Sequence, residues 1–87
     1  MAGPHMTDDA GISTGELVLS VVDEVTGCGP LRPSDSFFDI GGSSLDALRI
    51  CLRIGRRTGT DIDPAALLDS DDLAGFIEAV DAARAAR

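Results

Sequence analysis

The sequence has no tryptophan, tyrosine or lysine and only three phenylalanines, so aromatic cages and base-stacking surfaces are poorly supplied. Its one histidine, His5, lies within residues 1–5, which resemble the remnant of a cleavable tag. Without that residue no serine–histidine catalytic pair can form. No apolar run approaches the roughly 20 residues of a membrane-spanning helix, and no signal peptide is recognisable.

Only two cysteines are present, Cys28 and Cys51, and they show neither a C-x-x-C pair nor zinc-ligand spacing. One possible bridge is a weak basis for a secreted, disulfide-stabilised scaffold. The cysteine content therefore favours reduced thiols in a cytoplasmic protein.

The length of 87 residues fits a single domain, with residues 1–6 assigned to the tag remnant and start and 7–87 to the domain. So small a fold leaves no room for a deep catalytic cavity and its supporting shell. The formal charge of −8 argues against nucleic-acid binding, which needs a basic surplus. We expect a monomer that binds neither nucleic acid nor membrane.

Capping patterns predict an all-α fold of three longer helices and one short one, with a long first loop. The first helix begins near Ser13, which forms an S-x-x-E capping box with Glu16, and stops near Gly27. The second runs from about Ser44 to Arg57. A short third helix opens at Asp63-Pro64, and a fourth follows the cap and acidic residues at 70–72.

The second helix is predicted to place its leucines and Cys51 along one apolar side, with its arginines mostly on the other. Cys51 is then a small buried hydrophobe. The predicted apolar members are Leu45, Leu48, Cys51 and Leu52, and the arginines are Arg49, Arg53, Arg56 and Arg57.

Residues 28–43 form a long connection rich in glycine and proline. We expect its apolar side chains to pin it to the core, because aromatic burial orders such a segment at low cost. These side chains are Leu31, Phe37, Phe38 and Ile40.

The connection ends in Gly41-Gly42-Ser43-Ser44, which places a hydroxyl at the start of a helix. Glycines permit a tight turn, and a helix N-terminus stabilises an attached anion such as a phosphodiester. Serine is also a preferred N-cap, so spacing alone leaves open whether Ser43 or Ser44 is only a cap.

The segment from Asp35 to Leu48 resembles the core motif of peptidyl carrier proteins, the thiolation domains of nonribosomal peptide synthetases. That pattern, D-x-F-F-x-[LI]-G-G-x-S-[LI], is met by Asp35, Phe37, Phe38, Ile40, Gly41, Gly42, Ser44 and Leu45. The resemblance implies the family's small four-helix bundle from about Ile12 to Ala83. Ser43 occupies the variable position.

The resemblance also implies that Ser44 carries 4′-phosphopantetheine, with Gly41, Gly42 and Ser43 as the supporting loop. A phosphopantetheinyl transferase would install the arm from coenzyme A, using Mg²⁺. The arm would hold aminoacyl, aryl or peptidyl groups as thioesters for an adenylation enzyme and for condensation or tailoring enzymes. The chain itself would be non-catalytic, since a serine without a base is a poor nucleophile.

The second helix is the natural docking surface in this family, and we expect Leu45, Arg49 and Arg53 to contact partners. For Leu45 the alternative is a place in the core, and for the arginines a solvated face. Because only Asp46 opposes four arginines in this helix, partners should meet a mixed or basic surface.

Two other interpretations stay open. One is an acyl carrier protein of polyketide or fatty-acid synthesis, which the double glycine and double phenylalanine disfavour. The other is a small helical interaction domain with an ordinary N-cap serine. The two termini favour a free-standing carrier over an excised domain.

Overall fold

The computed structural model describes residues 13–86, so the predicted tag remnant at residues 1–6 lies outside the described part. Four helices follow one another: α1 (Thr14–Thr26), α2 (Ser44–Thr58), α3 (Pro64–Leu68) and α4 (Leu73–Ala85). No strand occurs among the described residues. The all-α prediction, with three longer helices and one short one, is confirmed.

The helices begin and end close to the capping residues. Ser13 caps α1 through a capping box with Glu16, and Gly27 ends that helix in the left-handed conformation at φ 69°. Gly59 ends α2 in the same way. Asp63 caps α3 by accepting a hydrogen bond from the N–H of Ala65 at 2.9 Å.

The core lies between the helices and draws on all four, with Phe37 from the long loop. α1 packs against α2 and α4, and α3 bridges α2 and α4. A hydrogen bond from Thr14 Oγ1 to Asp81 Oδ1, at 2.8 Å, joins the start of α1 to α4. The fully buried large side chains are Val18, Val21, Val22, Phe37, Ile50, Ile54, Leu67, Leu73, Phe76 and Val80.

The face that α2 turns to the core differs from the predicted one. Its buried residues are Ala47, Ile50, Cys51 and Ile54. The predicted apolar members Leu45, Leu48 and Leu52 are 55%, 44% and 53% exposed. The helix carries two apolar stripes, and the one with β-branched and small residues fits between α1 and α3. Cys51 is buried as predicted, and desolvation, followed by the Asp63 carboxylate, raises its thiol pKa to about 11.

The long loop is held by one aromatic ring and by the start of α4. Phe37 is 1% exposed, with Leu31 and Ile40 packed at the edge of the core. The carbonyls of Asp35 and Pro33 accept hydrogen bonds from the N–H groups of Leu73 and Ala74, each at 2.8 Å. These bonds satisfy N–H groups that the first turn of a helix leaves free.

Phe38 is the exception among the predicted loop anchors, since it is 55% exposed. Its ring meets the edge of Phe37 at a centroid distance of 5.9 Å. Of the two adjacent rings, only that of Phe37 enters the core.

Replacing Ile54 by alanine tests which stripe of α2 is buried. We expect Ile54→Ala to lower the free energy of unfolding by about 2–5 kcal/mol, because it leaves a cavity in the core. The matched change Leu52→Ala, two residues away, should stay within about 0.5 kcal/mol. Urea unfolding followed by far-UV circular dichroism measures both, and a larger loss at Leu52 would refute the assignment.

Candidate functional site

The two adjacent serines at the head of α2 have different roles. Ser43 is the N-cap, with extended backbone at φ −114° and ψ 171°. Its hydroxyl accepts a hydrogen bond from the N–H of Asp46 at 3.2 Å, and Asp46 Oδ2 accepts one from the N–H of Ser43 at 3.3 Å. This reciprocal pair is a capping box, and it assigns the Ser43 hydroxyl to holding the helix end.

Ser44 is the first residue of α2 and is exposed to solvent. Within residues 13–86 its hydroxyl forms no hydrogen bond, and the backbone N–H groups of Ser44 and Leu45 have no acceptor. The result is a free hydroxyl beside free N–H donors at the positive end of a helix dipole. An anionic ester is electrostatically favoured at such a place.

The two glycines before the serines serve different needs. Gly41 has φ +83°, a left-handed conformation that glycine adopts without strain, and open space surrounds it. Gly42 lies against the ring of Phe37, so that a Cβ at this position would collide with the ring. Its N–H also donates to the Phe37 carbonyl at 3.0 Å. The buried ring thus fixes where the chain enters α2.

Asp35, the first residue of the motif, shapes the turn that delivers Phe37 to the core. Its carboxylate accepts a hydrogen bond from the N–H of Arg32 at 2.8 Å, and its own N–H donates to the Arg32 carbonyl at 3.0 Å. Its carbonyl also accepts the hydrogen bond from Leu73, so this residue connects the loop to the start of α4. The role of Asp35 is therefore structural.

The predicted partner residues of α2 divide into two groups. Leu45 and Arg49 are exposed, so the core alternative for Leu45 is wrong. Arg53 instead pairs with Glu24 of α1 at 3.2 Å, and Arg57 pairs with the same carboxylate at 3.0 Å. The hydrogen bond from Arg57, assisted by Arg53, lowers the pKa of Glu24.

Sequence reasoning missed Asp46, which completes the cap of Ser43. The spacing S-x-x-D over residues 43–46 carried the signal, since an acid at the third helical position is what a capping box needs. The exposure of Phe38, Leu48 and Leu52 was also missed, and it has no comparable local signal.

Comparisons with known proteins agree with this geometry. Residues 16–80 match the family model described as "Phosphopantetheine attachment site". The chain belongs to this family of carrier proteins. Its prosthetic group is therefore covalently attached 4′-phosphopantetheine. The residues at the head of α2 fit such a group, because an exposed hydroxyl lies beside backbone N–H donors that have no acceptor within residues 13–86.

Relatives of this carrier protein include parts of large synthetases. It is 34% identical over 70 residues, 80% of the chain, to phosphinothricin tripeptide synthetase PhsC of Streptomyces viridochromogenes. It is 35% identical over 71 residues, 82% of the chain, to a dimodular nonribosomal peptide synthase of Bacillus subtilis. It is 37% identical over 54 residues, 62% of the chain, to glycine betaine reductase ATRR of Emericella nidulans. The resemblance to peptidyl carrier proteins is confirmed.

The matched region covers 6%, 3% and 4% of these three relatives. No solved structure matches the carrier protein significantly. Within the described residues, none of the helices combines the length and apolar character that a bilayer crossing requires.

A double-mutant cycle tests the contact between Gly42 and Phe37. Gly42→Ala should destabilise the fold by about 1–3 kcal/mol through overpacking, and Phe37→Leu should make room for the added methyl group. The two changes should therefore couple by more than about 0.5 kcal/mol in urea unfolding.

Gly41→Ala is the matched control for this cycle. It should cost about 1 kcal/mol from backbone strain alone and add independently to Phe37→Leu, because a Cβ added at Gly41 meets no atom of residues 13–86 within 4 Å. Equal coupling at both glycines would contradict the described packing.

Proposed function

We propose that Ser44 carries the phosphopantetheine arm and that the arm holds aminoacyl, aryl or peptidyl groups as thioesters during nonribosomal peptide assembly. The observation that carries the proposal is that the two adjacent serines at the head of α2 have different roles. The Ser43 hydroxyl holds the helix cap, whereas the neighbouring hydroxyl of Ser44 is exposed and unpaired within the described chain.

The peptidyl class is supported by the two synthetases among the relatives, whose matched segments share about a third of their residues with this chain. When bound, the arm supplies a terminal thiol that holds the cargo as a thioester. The protein's own residues hold the anchor: Ser43 and Asp46 fix the helix start, and Phe37 fixes the loop in front of it.

We further propose that Ser44 is modified by another enzyme and is not a nucleophile for catalysis by this chain. A serine nucleophile needs an adjacent base, and the only histidine of the sequence is His5. The carboxylate two residues along, that of Asp46, is engaged in the cap of Ser43. A transferase would bring the base and the Mg²⁺ that the transfer requires.

The proposed partners are a phosphopantetheinyl transferase, an adenylation enzyme and condensation or tailoring enzymes. They would meet the exposed part of α2, where Leu45 and Arg49 are the expected contacts; Arg53, the third predicted contact, is held in an ion pair with Glu24. Contacts made in succession must each be small and weak. A cytoplasmic location is proposed with them and is supported by the two free thiols, Cys28 and Cys51.

Incubation with a broad-specificity phosphopantetheinyl transferase, coenzyme A and Mg²⁺ tests the anchor point. Intact mass spectrometry should show one phosphopantetheinyl group on the wild-type chain and none on Ser44→Ala. Ser43→Ala is the matched control: it should lose about 1 kcal/mol of stability with the cap and still be modified. Modification of Ser44→Ala, or an unmodified wild-type chain, would overturn the proposal.

Loading assays separate the peptidyl from the acyl interpretation. The modified protein should accept amino acids or aryl acids from adenylating enzymes and should be a poor substrate for acyl-loading enzymes of fatty-acid or polyketide synthesis. The opposite preference would move the protein to the acyl class.

A further inference from the structure

Cys28 is an exposed thiol that the proposed function does not use. It follows the end of α1, and its Sγ lies 3.5 Å from the carbonyl oxygen of Thr26 and 3.4 Å from that of Ile40, at the length of weak S–H···O hydrogen bonds. The contact with Ile40 joins residues 12 apart and places the thiol beside the end of the long loop. Ile40 is in turn four residues before Ser44.

The distance from Cys28 to the anchor is one that the phosphopantetheine arm can span. Four residues of fully extended chain cover at most about 14 Å, and the left-handed turn at Gly41 shortens the path from Ile40 to Ser44. The arm places its thiol about 14 bonds from the serine oxygen, which corresponds to about 18 Å when it is extended. Even with the 3.4 Å contact added, Cys28 lies within the volume that the arm's thiol sweeps.

The tether makes the meeting of these two thiols an intramolecular event. A short flexible linker holds its two ends at an effective concentration of about 1 mM or more, well above the concentration at which such a protein is studied. Cys28 should therefore react with the arm of its own chain in preference to a thiol of another molecule.

Cys51, the other cysteine, does not compete for the arm. It is 3% exposed, and desolvation, followed by the Asp63 carboxylate, raises its thiol pKa to about 11. Thiol–disulfide exchange needs an accessible thiolate, which this site disfavours on both counts. The two cysteines of the chain thus form a matched pair of one accessible and one buried thiol.

We propose that Cys28 is a modification site that forms a reversible disulfide with the thiol of the carrier's own arm, with a low-molecular-weight disulfide such as glutathione disulfide as the oxidant. The inference rests on the proposed anchor at Ser44 and adds redox control to it. While the bond is closed, the arm's thiol cannot hold a thioester, so loading stops. Disulfides in reducing compartments are usually transient bonds of this kind.

The reaction balances as two exchange steps. The thiolate of Cys28 attacks one sulfur of glutathione disulfide, so that a mixed disulfide forms and one glutathione thiolate leaves. The Cys28 sulfur is then attacked by the thiolate of the arm, and the second glutathione thiolate leaves. The two thiols of the carrier lose their protons and two electrons, and the glutathione disulfide is reduced to two glutathiones.

Non-reducing mass spectrometry of the full chain with its arm attached tests the proposal. After attachment is confirmed by intact mass, incubation with glutathione disulfide should lower the mass by about 2 Da and add no glutathione. Digestion at the aspartates separates Cys28 from Ser44, and these two peptides should stay linked until a reductant is added. Alkylation of the denatured, oxidised protein should label only Cys51.

Cys28→Ala and Cys51→Ala are the matched variants. With its arm attached, the Cys28→Ala chain should gain glutathione and form no internal bond, whereas the Cys51→Ala chain should close the bond as the wild type does. Equilibration of the wild-type chain in glutathione buffers should give an effective concentration of at least about 1 mM for the two thiols.

The outcomes separate this inference from the proposed function. A wild-type chain that carries its arm on Ser44 but gains only glutathione, or forms only disulfide-linked dimers, would overturn the inference and leave the anchor in place. An internal bond that persists in Cys28→Ala, or is lost in Cys51→Ala, would overturn the assignment to Cys28. A chain that takes up no arm would refute the proposed function, and the inference with it.

Discussion

The cap formed by Ser43 and Asp46 is the constraint on which the site depends. It fixes the point at which the chain changes from loop to helix. It also engages the hydroxyl of Ser43 in a hydrogen bond, whereas the hydroxyl of Ser44 takes no part in the cap. The two hydrogen bonds, at 3.2 and 3.3 Å, are individually ordinary. Their consequence is that Ser44 begins the helix with an exposed side chain that has no hydrogen-bond partner among residues 13–86.

The cap can act in this way because the loop before it is held in place. Phe37 enters the core, and Gly42 lies against its ring too closely to tolerate a side chain. The same loop is also tied to α4, because the carbonyls of Pro33 and Asp35 accept hydrogen bonds from the start of that helix. The anchor point is therefore built on buried packing and backbone hydrogen bonds, although the serine itself is exposed.

The sequence was sufficient for features decided by neighbouring residues. The cap at Ser13, the stop of the first helix at Gly27 and the Asp63-Pro64 start were all predicted correctly, since capping involves groups within four residues of each other. The motif around Ser44 is equally local. In each case the chemistry needed for the prediction lies within one short segment.

Features decided by packing across the bundle were not predictable in the same way. α2 carries leucines at helical spacing and, beside them, a second set of apolar residues that includes Ile50 and Ile54. Either stripe satisfies the helical period, and only the shapes of α1 and α3 select between them. Phe38 was misplaced for the same reason, because two adjacent phenylalanines look alike in the sequence and only packing decides which ring is buried. The pairing of Glu24 with Arg53 joins residues 29 apart and has no local pattern.

Amide hydrogen exchange, measured by NMR before and after the arm is installed, is the most direct test of the cap. The amide of Asp46, which donates to the Ser43 hydroxyl, should exchange more slowly than those of Ser44 and Leu45, and this order should persist after modification. Loss of protection at Asp46 on modification would show that the arm had taken the Ser43 hydroxyl. That result would contradict the division of roles between the two serines.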